Sequence, residues 1–299
     1  MSFDPNIPGA TGSSDGDAAF RMSPEEFRLI RDFIQAQCGV YFGDSSQFIL
    51  EKRVARLLRA HRLSNFRDYY YYLLYDRRKA EELATLIDSI TTNETYFFRE
   101  ERQLKAFSSE ILPELHARKR EEGDRTLHIW SAGCSSGEEP YTLAMLIMES
   151  GLFRDFRVDI FANDISHRML QAARKGIYGP SAFRSAEPKY IDRYFTEKGE
   201  SWRINDDVRK FVSFSHLNLV ERSKISLLRT MDLICCRNVI IYYDLPTKKR
   251  VIQSLGEKLA PGGYLLLGHS ESLINISNAF ELRHLKNDLV YQRPRKPDA

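Results

Sequence analysis

"IWSAGCSSGEEPYTLAML", residues 129–146, places small residues and two carboxylates between two apolar runs. Extended backwards, the first run becomes "TLHIWSA" (126–132), a buried strand by composition, while the second carries the length and residues of a helix. Gly133 and Gly137 between them allow a turn that a ligand's atoms approach at backbone distance. Strand, glycine turn and helix in that order put the turn at the carboxyl end of a strand, where open α/β sheets bind ligands. The pattern is not G-x-G-x-x-G and lacks the Lys-Ser/Thr of a P-loop. Glu138 and Glu139 at the helix start favour that helix and repel a phosphate, so the ligand is expected to be cationic or zwitterionic.

Downstream, "RVDIFAND" (157–164), "FVSFSHL" (211–217), "DLICCRN" (232–238) and "YLLLGH" (264–269) read as further strands separated by helical segments. The alternation predicts a mostly parallel sheet covered by helices. "LPTKKRVIQSLGEKLAPGGYLLLGH" (245–269) reads as helix, Pro-Gly-Gly turn and strand, and "NDLVYQR" (287–293) as a final antiparallel strand. Asp164 ends the second strand, where nucleotide-type folds use a carboxylate to accept from ribose hydroxyls. A ribose-bearing, phosphate-free, cationic ligand fits S-adenosylmethionine. Each piece alone has an ordinary explanation as turn or cap; their joint order points to the ligand.

Working towards the amino end, Ser23-Pro24-Glu25-Glu26 supplies an N-cap, a proline at the first helical position and a capping glutamate, and Gly39 a left-handed stop. Three more helical stretches, residues 46–63, 64–76 and 77–90, complete a small helical domain ending near residue 91. Residues 1–20, rich in Gly, Ser, Asp and Pro, read as a mobile tail. The turn-rich, charged stretch from Tyr178 to Asp207, with Tyr190, Tyr194, Phe195 and Trp202 scattered through it, reads as an insertion in the α/β domain.

The 299 residues, 42% hydrophobic, suffice for one large domain or two modest ones, and a net charge of +3 implies no strong general attraction to nucleic acid. Four cysteines without a C-x-x-C pair, and seven histidines without zinc-ligand spacing, predict no metal site. The absence of a signal peptide and of an apolar run near the roughly 20 residues that cross a bilayer, with the few cysteines, predicts a cytoplasmic protein without membrane insertion.

Five segments, "TTNETYFFRE" (91–100), "WSAGCSSGEEPYTLAM" (130–145), "FANDIS" (161–166), "LNL" (217–219) and "CRNVIIYYD" (236–244), resemble in this order the CheR family of bacterial chemoreceptor glutamate methyltransferases. The resemblance covers nearly the whole chain after the tail. It implies an all-α N-terminal substrate-docking domain (21–91) and a Rossmann-like, S-adenosylmethionine-binding α/β domain (92–299) with an inserted small β-subdomain (178–215). It further implies that Asn93, Thr95 and Arg99 approach the methionine end of the cofactor or the reaction centre, Glu138 its charged region and Asp164 its ribose. Asn218 and Leu219 would flank the adenine, and Arg237 with Asn238 would close the pocket. The implied substrate is a glutamate side chain on the cytoplasmic domain of a chemoreceptor, a methyl-accepting chemotaxis protein. Such a carboxylate is ionised at neutral pH and needs no general base. Tyr242, the candidate catalytic residue, or Arg99 would hold it, and the product cofactor would be S-adenosylhomocysteine. Some family members tether to a receptor's C-terminal peptide through the β-subdomain by adding a strand.

In "EKRVARLLRAHRL" (51–63), Lys52, Arg53, Arg56, Arg59 and Arg62 occupy one half of a helical wheel and Leu50, Val54, Leu57 and Leu58 the other. A cationic face of this kind is commonly just solvated, but the glutamate-rich substrate helices of the family make Arg53, Arg56 and Arg59 candidate substrate-binding residues. The tyrosines of "YYYYLLY" (69–75) lie in a helical segment and are expected to pack rather than to stack on bases. "GHSES" (268–272) lacks the second glycine of a nucleophile elbow. A noncatalytic cofactor-sensing scaffold on the same fold, and a methyltransferase of another acidic substrate, remain as alternatives.

Overall fold

The computed structural model describes residues 20–295. The expected tail lies outside the described residues except for Phe20, whose ring meets Phe66 edge-on. Helix α1 (Pro24–Cys38) begins with the capping box that its sequence encodes: Ser23 Oγ accepts from the Glu26 N–H, and Glu26 accepts from the Ser23 N–H. Gly39 ends it at φ 78°. Helices α2 (Gln47–His61), α3 (Phe66–Tyr75) and α4 (Lys79–Ile90) pack with α1 around one core that includes Ile30, Leu50, Leu58 and Leu86. The fully buried Tyr69 donates to Glu82, which also pairs with His61, so these three polar groups are matched inside the core.

Helix α5 (Glu101–Ala106) runs through a π-helical turn (Phe107–Ile111) into α6 (Leu112–Glu121). Then come β1 (Thr126–Ala132), α7 (Glu138–Ser150), β2 (Arg157–Asp164) and α8 (His167–Lys175). Strands β3 (Ile177–Tyr178), β4 (Phe195–Lys198) and β5 (Ser201–Ile204), with α9 (Pro188–Tyr194) between the first two, form a separate three-stranded sheet in the order β3-β5-β4. After α10 (Asp206–Arg209) the chain returns through β6 (Val212–His216), α11 (Arg222–Ser226), β7 (Met231–Cys236), α12 (Leu245–Lys258), β8 (Leu259–Leu267), β9 (Glu281–His284) and β10 (Leu289–Gln292).

The main sheet has the order β6-β2-β1-β7-β8-β10-β9; its first five strands are parallel, and β10 pairs antiparallel with both β8 and β9. Alternation along β1 sends Leu127 and Ile129 into the core with α7, and Trp130 and Ala132 into the core with α12, so both faces of the sheet are covered. Strand order reverses on either side of β1, which places the ligand crevice at its carboxyl end.

Three sequence expectations need correction. Strand β6 pairs with β2 from Ile160↔Val212 to Asp164↔His216, so the expected insertion, 178–215, runs into the main sheet, and the small sheet ends at Ile204. The strand reading of 211–217 and the turn-rich stretch ending at Asp207 agree with this pairing; the bound at 215, implied by the family resemblance, overlaps β6. The Pro-Gly-Gly segment does not precede β8 but lies within it, as an irregularity opposite Met231–Leu233, with Gly262 at φ 72°. Strand β9, short, exposed and without apolar alternation, carried no sequence signal.

Candidate active site

The turn after β1 is built as its glycines demand. Gly133 (φ 83°) and Gly137 (φ 94°) take left-handed backbone conformations, and a Cβ on Gly133 would lie 2.4 Å from Val239 Cγ2. The N–H groups of Gly133 and Cys134 donate to the Asn163 carbonyl at 2.9 and 2.8 Å. The Ser135 N–H donates to Asp164 Oδ2, and the Ser166 N–H to Asp164 Oδ1, both at 2.8 Å. Each carboxylate oxygen of Asp164 thus accepts one backbone bond and keeps a lone pair for a further donor. Burial pushes the Asp164 carboxyl above its ordinary range, and these N–H bonds oppose the shift.

A cavity opens over this turn. Asn93, Thr95, Arg99, Asp164, Leu219, Arg237, Asn238 and Tyr242 line it. Eight of the expected site residues therefore meet at one place, although they come from four separate segments of chain. Arg99 is held by donation to the Glu94 carbonyl at 2.8 Å. Arg237 is buried and bridges Glu100 (3.0 Å) and Glu139 (3.3 Å). Burial works against its charge, but the two carboxylates outweigh that and hold its pKa above the ordinary arginine value.

Two of the expected residues stand outside the cavity lining. Glu138 does not line the cavity; its carboxylate accepts from Ser136 Oγ at 2.8 Å, and burial pushes its pKa up to about 7. Glu139 lines the cavity instead, accepting from Ser131 Oγ at 2.7 Å and pairing with Arg237. Successive side chains on a helix diverge by about 100°, so only one of two adjacent carboxylates at the start of α7 can face the crevice. Asn218 is also absent from the lining: its Nδ2 donates to the Gln37 carbonyl at 2.8 Å, and its Oδ1 accepts from the Val220 N–H. It joins the two domains, whereas its neighbour Leu219 faces the cavity.

Residues with no sequence signal complete the wall. Val40 lines it and bridges to Tyr243 in antiparallel fashion. On α2, Leu50, Val54, Leu57 and Leu58 are buried as expected, and Arg56 and Arg59 are exposed. Arg53 behaves differently: it donates to the Ile90 carbonyl and, at 3.1 Å, to Thr92 Oγ1, so it braces the segment entering the cavity. The small sheet touches the glycine turn through Tyr178, whose hydroxyl donates to the Ser136 carbonyl at 2.8 Å.

The cavity suits the expected cofactor in its donor set. It offers a strand-end carboxylate with free lone pairs, a second carboxylate at the start of α7 and close backbone at Gly133, without the lysine-bearing phosphate cradle of a P-loop.

Comparison with known proteins agrees. Residues 93–288 match the family model described as "CheR methyltransferase, SAM binding domain", and residues 25–91 that described as "CheR methyltransferase, all-alpha domain". Chemotaxis protein methyltransferase 2 of Vibrio cholerae is 34% identical over 91% of this chain and 93% of its own length. Chemotaxis protein methyltransferase 1 of the same organism is 36% identical over 92% of this chain and 98% of its own length. The chemotaxis protein methyltransferase of Borreliella burgdorferi is 36% identical over 82% and 87% respectively. The chain belongs to the CheR methyltransferase family, and the ligand that its glycine turn and strand-end aspartate called for is the S-adenosylmethionine of that enzyme class.

Proposed function

We propose that this enzyme esterifies glutamate side chains on the cytoplasmic helices of a chemoreceptor, in the cytoplasm, with residues 21–91 as the substrate-docking unit and 92–299 as the methyl-transfer unit. The reading is carried by one observation: Asp164, Glu139, Arg99 and Tyr242 line a single cavity, and Arg53 of the basic helix α2 bonds to Thr92 on its wall.

When bound, S-adenosylmethionine supplies a methyl group whose bond to the sulfonium breaks, with its electron pair passing to sulfur, as the carboxylate oxygen bonds to carbon. In this proposal Asp164 accepts from the ribose, and Glu139, in place of Glu138, faces the positive end of the cofactor. Asn93 and Thr95 lie towards the reaction centre. Arg99 and Tyr242 orient the incoming carboxylate. Since a glutamate is ionised near neutral pH, the chain has no proton to remove; its contribution is alignment and exclusion of water. Exposed Lys52, Arg56 and Arg59 draw an acidic receptor helix towards the cavity. Strand β4 lies at the edge of the small sheet and offers a place where a receptor's C-terminal peptide adds a strand.

The test is transfer of radiolabelled methyl from S-adenosylmethionine to purified chemoreceptor cytoplasmic fragments. Base-labile label on glutamate is expected. Cofactor binding without transfer to any receptor fragment would overturn the substrate assignment.

A further inference from the structure

The "GHSES" segment has a use unrelated to its serine. Glu271, its fourth residue, is half-buried, and its carboxylate gathers four backbone N–H groups. Oε2 accepts from Gly268 (2.7 Å) and Asn238 (2.8 Å); Oε1 accepts from Val239 (2.9 Å) and Ile241 (3.2 Å). Three of the four donors belong to the loop after β7, which carries Asn238 and Tyr242 into the cavity.

That loop needs holding. Asn238 sits at φ 57°, a left-handed conformation that costs a non-glycine residue energy unless its surroundings enforce it. The fit is tight on both flanks. A Cβ on Gly268 would lie 2.7 Å from Asn238 Nδ2, and Val239 already fills the space above Gly133. A carboxylate with no proton is the group that can serve four converging N–H donors at once, two on each oxygen. Replacing one oxygen by an NH2 would leave two of them facing another donor.

We propose that Glu271 is a positioning residue for methyl transfer, acting by locking the 238–242 loop so that Tyr242 is presented at the cavity. This rests on the assignment of Tyr242 as an orienting group. In the proposed reading cofactor affinity draws chiefly on Asp164 and Glu139, which belong to β2 and α7 and make no hydrogen bond to Glu271, while Asn238 at the pocket's closure meets Glu271 only through its backbone N–H. Glu271 therefore affects the transfer step more than it affects cofactor binding.

The experiment is a double-mutant cycle on the full chain, using Glu271→Gln, Tyr242→Phe and the double variant. S-adenosylhomocysteine affinity is measured by calorimetry, melting temperature is recorded, and kcat is measured on a chemoreceptor cytoplasmic fragment that the unaltered enzyme methylates. Glu271→Gln is expected to lower kcat about tenfold or more, the cost of two N–H donors left facing another donor, while product-cofactor affinity stays within about twofold. In the Tyr242→Phe background the same change is expected to cost less than about twofold. Unchanged kcat in Glu271→Gln, strictly additive losses, or affinity and kcat falling together with the melting temperature would each overturn the proposal. A silent Tyr242→Phe would instead overturn the assignment of Tyr242, so the two failures are told apart.

Discussion

The backbone N–H of Tyr41 donates to the carbonyl of Tyr242 at 2.9 Å, so a residue just past the first helix of the N-terminal domain fixes one at the wall of the cavity in the α/β domain. Gln35 to Asp244 (2.8 Å) and Asn218 to the Gln37 carbonyl (2.8 Å) reinforce the same junction. Gly39 sits at its centre, where a Cβ would meet Val220 Cγ1 at 2.7 Å and where φ is 78°. Gly39→Ala is expected to cost about 1–3 kcal/mol through combined overpacking and backbone strain, measured by denaturant unfolding. It should also lower kcat by displacing Tyr242. An unchanged unfolding midpoint would show that the junction yields freely.

Asp164→Ala is expected to weaken S-adenosylhomocysteine binding by about ten- to a hundredfold, the cost of losing a charged acceptor, as read by calorimetry. The helical circular dichroism should persist, because the packed cores on both faces of the sheet do not involve this carboxylate. Unchanged affinity would remove the ribose role from this residue.

The two adjacent glutamates of α7 should separate on substitution. Burial raises the Glu138 pKa from 4.5 to about 7. As pH rises through that interval the unfolded chain releases the proton first, while the folded chain retains it. Folding is then increasingly penalised, and the group costs about 3 kcal/mol once pH exceeds its folded pKa. Glu138→Gln is therefore expected to raise the melting temperature at pH 8 and leave it unchanged near pH 4, with little effect on cofactor affinity. Glu139→Gln is expected to weaken cofactor binding about tenfold by loosening Arg237 and removing a cavity charge. The reverse pattern would restore Glu138 to the site.

Neutralising Lys52, Arg56 and Arg59 together should lower kcat/KM for a receptor fragment while leaving S-adenosylhomocysteine affinity unchanged. The defect should shrink as salt rises, because exposed charges more than about 10 Å apart are screened near 0.1 M. Arg53→Ala should behave differently and lose activity at all salt concentrations, since Arg53 braces Ile90 and Thr92. A rate independent of these charges at low salt would end the docking role of α2.

Much of this molecule is encoded locally. The capping box at Ser23, the strand–turn–helix order around Gly133 and the apolar runs of the parallel strands are determined by neighbours in the chain, so sequence alone disclosed the helical domain, the sheet and the crevice at the end of β1. Motif order likewise identified eight residues that line the cavity. What needed tertiary structure was direction. Helix rotation decided that Glu139 and not Glu138 faces the crevice, and the packing of α1 drew Asn218 to Gln37 instead of to the cavity. The four N–H groups that converge on Glu271 come from two loops distant in sequence. Periodicity reports which face of a segment is buried, but the partner that covers that face is set only when the segments pack together.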